Sequence, residues 1–181
     1  DGRWAIATDF RRLGDTRPGY GYNGIPDPYR DELAPKESGI WHVDLETGRQ
    51  RMIVSLADIV KIPFAYGDFS KAKHWFNHLL VSPDGSRIEF LHRWQLEKGS
   101  RRTRMVTARP DGSDLRVVIG SGFASHFIWR DPSHILAFSK PTPEVPWGFF
   151  VHEDKTNGTV EQVGKGVMGP GDEAEPVLTV M

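Results

Sequence analysis

The chain contains no cysteine. That excludes disulfides, zinc–thiolate sites and thiol nucleophiles, and leaves the compartment open. No apolar run approaches the length that spans a bilayer, so the chain as given reads as soluble. Neither sign of charge dominates. The formal net charge is -1, so no global field points to nucleic acid or an anionic membrane. No signal peptide is visible, and with Asp1 inside a turn at the first position that carries little weight. A glycine-rich phosphate loop, a G-x-S-x-G elbow, an H-E-x-x-H pair and calcium-loop spacing are all missing.

What is present is a recurring strand–turn–strand phrase. It runs from His78 through Ser82-Pro83-Asp84-Gly85 to His92, returns from His126 through Asp131-Pro132-Ser133 to Phe138, and opens the chain in clipped form as Gly2-Arg3-Trp4-Ala5-Ile6. A second hairpin follows each copy, turning at Glu46-Thr47-Gly48, at Pro110-Asp111-Gly112 and at Thr156-Asn157-Gly158. The 13 prolines and 19 glycines suit such turns. Two hairpins per unit, at about the length of a four-stranded sheet, predict an all-β partial β-propeller. Units are expected near 1–56, 77–120 and 125–164 of one domain over 1–181, with 165–181 a linker or a disrupted next blade. Closed propellers hold about four to eight blades. Three blades leave an open edge, which missing blades or self-association must cover.

An up-and-down order sends the tight Asp-Gly turns to one side. The opposite side receives the connections at 13–38, 57–77, 95–102 and 140–147. Long loops on a rigid scaffold are where sites usually sit. That side is expected to carry His78 and His126 at equivalent positions near the axis, with His92 and Arg93 at the end of a strand over 87–94. Each imidazole suits proton transfer, metal or carboxylate binding, or a structural hydrogen bond. His74, Trp75 and Asn77 precede an inner strand expected over 79–82. An aromatic ring there can stack on a sugar and an amide can bond hydroxyls, while Phe76 reads as a core cap. The insertion Arg17-Pro18-Gly19-Tyr20-Gly21-Tyr22 predicts an irregular loop whose tyrosines can act as acid or base. Arg11, Arg12 or Arg17 can meet an anion there. His42 reads as structural, and His134 and His152 read as surface residues.

Two segments carry a resemblance. Arg17–Tyr22 and Lys73-His74-Trp75-Phe76-Asn77-His78, supported by Phe90–Trp94 and Ser125–Pro132, resemble bacterial propeller proteins related to oligogalacturonate lyase and the ulvan lyases. The Ser-Pro-Asp-Gly phrase is shared with TolB-like propellers. The resemblance implies three blades of a seven-bladed propeller that cleaves uronate glycans by β-elimination. It implies catalytic or charge-neutralising roles for His78 and His92, and for Tyr20 or Tyr22. Arg93 becomes a helper, and the residue chemistry above makes His74, Trp75, Asn77, His126 and Arg17 the expected substrate contacts. It also implies a divalent metal held mainly by blades outside this chain, and a periplasmic or extracellular setting, with the cytoplasm left open. An acidic glycan is the expected partner, with no nucleic acid and no membrane. The alternative is a non-catalytic TolB-like propeller that binds a protein or a glycan.

Overall fold

The computed structural model describes residues 2–22, 24–96 and 99–165. The fold is all-β: three antiparallel sheets, each a meander in chain order. The first has three strands, β1 (Trp4–Thr8), β2 (Gly39–Asp44) and β3 (Gln50–Ser55). The second has four: β4 (Lys73–Val81), β5 (Ile88–Gln95), β6 (Arg102–Ala108) and β7 (Arg116–Ile119). The third has β8 (Ala124–Asp131), β9 (His134–Ser139), β10 (Gly148–Glu153) and β11 (Val160–Val163). The clipped first copy accounts for the missing strand of the first sheet. Two features differ from the sequence expectation. Short helices α1 (Phe10–Thr16) and α2 (Leu56–Ile59) interrupt the long connections, and β4 begins at Lys73, so His74 to Asn77 lie inside a strand. The expected linker lies outside the described residues apart from Lys165.

Register decides which way each side chain of the middle sheet points. Phe76, His92 and Arg104 are cross-strand partners, and Phe90 pairs with Val106, so these residues share one face. Trp75, Asn77, Glu89, Leu91, Arg93 and Met105 take the other, because side chains alternate along a strand. The first face packs Phe76, Ile88, Phe90 and Val106 on Ile40, Val54, Leu56 and Ile59. The second packs Leu91, Met105 and Ile119 on Ala124, Trp129, Ile135 and Ala137 of the third sheet. The middle sheet is therefore covered on both sides, and β5 is buried from Ile88 to Trp94.

The tight turns also join the sheets. Arg51 donates to the Asp111 carbonyl at 3.2 Å, drawing the β6–β7 turn onto β3. Gly112 allows that approach: a Cβ there would stand 2.1 Å from the Ile53 carbonyl oxygen. At the next interface Asp154, at the end of β10, is buried between Arg87 and Arg116, with Thr107 donating to it at 2.5 Å. The two outer faces lack such cover. Trp41, Val43 and Met52 on the first sheet, and Ile128, Leu136, Phe138 and Phe149 on the third, stay half-exposed. A shallow depression of about 470 Å³ lies over Trp41 and Met52.

Gly85 and Gly112 both have positive φ, at 73° and 89°, but Gly85 has open space around it. Gly85→Ala should cost only the left-handed strain, about 1 kcal/mol. Gly112→Ala adds a backbone clash and should cost about 2–3 kcal/mol. Paired thermal melts measure the difference, and equal shifts would mean that the turn does not hold the first two sheets together.

Candidate functional site

The insertion between β1 and β2 is anchored from within. Asp9 caps α1 by accepting from the backbone N–H groups of Arg11 and Arg12. Arg12 then points inward, 1% exposed, and spends its guanidinium on the carbonyls of Tyr29, Glu32, Leu33 and His74 and on the Asp27 carboxylate. Five partners use its donors in full. Arg12 is thus a loop organiser and unavailable to an external anion. Arg11 is partly exposed but pairs with Asp9, and Arg17, also partly exposed, lies over the Tyr20 ring.

The tyrosine segment rests on this frame. The Tyr22 N–H donates to the Phe10 carbonyl at 3.2 Å. Gly21 lies so close to α1 that a Cβ would come within 2.2 Å of the Gly14 nitrogen. Tyr22 stacks on Phe10 with centroids 5.0 Å apart, and the Arg17 guanidinium lies 3.7 Å over the Tyr20 ring. Both tyrosines remain more than half exposed. Two aromatic rings and a cation therefore face solvent on a supported loop.

The histidines divide into two groups. His74 and His92 face the first sheet and are buried. Arg104 Nε donates to His92 Nδ1 at 2.9 Å, and an arginine nitrogen can only donate. His92 Nε2 therefore carries the proton and donates to His74 Nδ1, also at 2.9 Å. His74 Nε2 in turn donates to the Phe69 carbonyl at 3.1 Å. Both rings are neutral, in one assigned tautomer, with every ring nitrogen occupied. Burial drives both pKa values down, and the neighbouring arginines add to it. His74 falls to about 4 despite the Phe69 carbonyl, and His92 falls well below 6.5. Desolvation lowers Arg104 to about 10. Its other donors hold the Ile59, Ile62 and Pro63 carbonyls, which fixes the connection around α2. Phe69, Phe64 and Trp94 pack around the pair. The chain of donors is closed and sealed, so the geometry gives His92 no open route for proton exchange with a ligand.

His78 lies elsewhere. It is exposed, at a β-bulge of β4 where the register shifts between Asn77 and Leu79, with φ at 49°. A left-handed non-glycine residue in a strand is uncommon and stores strain. His126 is half-exposed within a similar irregularity of β8, between Ala124 and Phe127. The two repeat-related histidines therefore share a local device on the first strands of their sheets, and His92 does not join them.

Trp75, Asn77 and Arg93 point toward the third sheet and are buried. Among the described residues, Trp75 Nε1, both amide atoms of Asn77 and both carboxyl oxygens of Glu89 have no hydrogen-bond partner. Burial, assisted by the charge of Asp154, raises the Glu89 pKa well above the ordinary value and so favours its neutral form. Among the described residues no group of three histidine, aspartate or glutamate side chains could hold a metal. His152 corrects its expectation: it is buried against Ser139 rather than on the surface, and burial lowers it to about 4. His42 stacks on Trp4, and half-buried His134 pairs with Asp131. Ser133 Oγ approaches the same His134 Nδ1 as Asp131 does, so this Ser-His-Asp group is a turn brace and not a nucleophile relay. Arg12, Arg104 and Asp154 hold the architecture without a motif. Their one sequence signal is charge at a core-facing helix or strand position for the arginines, and just beyond a strand end for Asp154.

No family model, curated protein or solved structure matches the chain.

The neutral imidazoles predict a pH profile. Above pH 6.5, the ordinary value of an imidazole, His74, His92 and His152 are neutral whether folded or unfolded, and their contribution to stability is intact. As pH falls from there toward 4, the unfolded chain takes up protons that the folded chain refuses. Stability should drop by about 1.4 kcal/mol per pH unit for each such imidazole. Glu89 acts in the opposite sense, contributing below the ordinary glutamate value of 4.5 and losing that contribution as pH rises through its raised folded value. Urea titrations at about pH 7 and about pH 5 read the slope, and equal stabilities would contradict the neutral pair.

Proposed function

We propose that the chain supplies consecutive blades of a β-propeller and that the side bearing its long connections binds acidic glycans. Three meander sheets packed face to face in chain order support the propeller reading. So do the apolar outer faces, which suit further blades or a second copy. The observation that carries the binding reading is the Tyr20–Arg17–Tyr22 platform. Aromatic faces stack on the C–H faces of sugars, and a guanidinium holds a carboxylate through paired hydrogen bonds. Because Arg12 fixes the loop from beneath, little ordering entropy remains to be lost on binding.

A second reading is β-elimination, and the observation favouring it is exposed His78 on its strained bulge. In that chemistry a base takes the proton beside the carboxylate, the electron pair forms the double bond, and the glycosidic oxygen leaves with a proton. His92, neutral and sealed, is not placed to serve as the partner acid.

Calorimetry with oligogalacturonate tests the binding reading. Tyr20→Ala and Arg17→Gln should each weaken binding about tenfold, or about 1.4 kcal/mol. Unchanged affinity in both would remove the platform. An unsaturated-uronate absorbance that grows during incubation, and that His78→Ala abolishes, would instead favour elimination. Sedimentation of the chain by itself should show self-association through the outer faces, and a stable monomer would contradict that role for them.

A further inference from the structure

Resting on the acidic-glycan reading, we propose a second contact point for a uronate unit, built from Trp147, Phe123, Arg102 and Lys140. All four belong to the side that carries the long connections. Arg102 opens β6, Phe123 closes the β7–β8 connection, and Lys140 and Trp147 bound the β9–β10 connection. The Arg102 guanidinium stands 4.4 Å from the Phe123 ring centroid, and Lys140 Nζ stands 4.6 Å from it. A ring quadrupole holds a cation without neutralising it, so both charges stay available to an anion. This differs from Arg87 and Arg116, whose charges are matched by Asp114 and Asp154.

Trp147 supplies the stacking surface. Its indole lies parallel to Phe138, with centroids 5.0 Å apart and planes at 18°, and edge-on to Phe123 at 6.0 Å. It remains 44% exposed. One face is covered and its orientation is set by two rings. A large exposed aromatic with few rotamers is an economical sugar contact.

The segments that carry these side chains are tied together. The Thr103 N–H donates to the Gly122 carbonyl at 2.9 Å, and the Lys140 N–H donates to the Phe123 carbonyl at 3.0 Å. Ser121 Oγ donates to the Lys140 carbonyl at 2.5 Å and accepts from the Phe123 N–H at 3.3 Å. Gly122, with φ at 89°, leaves room for the Phe64 ring, which a Cβ would approach to 3.0 Å. Exposed Glu144 lies in the same connection, hydrogen-bonded to Thr142 and within the field of Lys140. It opposes an anionic ligand, so its removal should strengthen binding.

Calorimetry of the full chain with trigalacturonate, against neutral galactotriose, tests this. The acidic sugar should bind about tenfold more tightly than the neutral one. Trp147→Ala should weaken it about tenfold, while Trp147→Phe keeps most of the affinity. Arg102→Gln with Lys140→Gln should abolish the preference for the acid, and Glu144→Gln should raise the affinity for it. Thermal melts check that each variant is folded. Unchanged binding in Trp147→Ala, with loss in Tyr20→Ala, would overturn this contact point and leave the first platform standing. The converse would keep this one and remove the first. No binding by the parent chain would overturn both. A change in self-association without a change in binding would assign Trp147 to a contact between sheets and overturn the proposal.

Discussion

Two buried guanidiniums govern much of this structure. Arg12 and Arg104 sit under the two longest connections, out of water, and each needs all of its N–H groups satisfied. Irregular loops carry carbonyls that no sheet consumes. The arginines take them: Tyr29, Glu32, Leu33 and His74 for Arg12, and Ile59, Ile62 and Pro63 for Arg104. Each solves the other's desolvation problem. Removing a guanidinium would leave several buried acceptors without donors, a larger loss than any single hydrogen bond.

The same constraint sets the state of the histidines. An obligate donor at Arg104 makes His92 Nδ1 an acceptor, and the remaining protons follow in order to the Phe69 carbonyl. A proton added anywhere on that chain would have no acceptor and would face two nearby cations. The imidazoles that look most chemical are thereby committed to structure, while the exposed aromatic and cationic groups of the loops are left to meet a ligand.

The interface between the second and third sheets is built differently. Its edge is latched by Asp154 among two arginines and Thr107, yet its interior holds Glu89 and Asn77 without partners among the described residues. Burial pushes the Glu89 pKa well up, because a charged carboxylate there would face the full desolvation cost.

Much of the sheet pattern was legible along the chain. The Pro-Asp-Gly-Ser and related turns mark hairpins, although the first unit, expected to be four-stranded, has three strands. Those are local signals: turn chemistry and alternation over a few residues. The start of β4 was not legible, because Lys73-His74-Trp75 resembles a polar loop until its partners on β5 are known. Nor was the fate of His78 and His92, which both flank strands of the same repeat. A bulge of one residue turns His78 outward, and cross-strand pairing with Phe76 and Arg104 turns His92 into the core. Sequence by itself determined the hairpin turns and the all-β pattern of the chain. Only the tertiary structure decided which polar groups are spent inside and which face solvent, because that depends on partners tens of residues away.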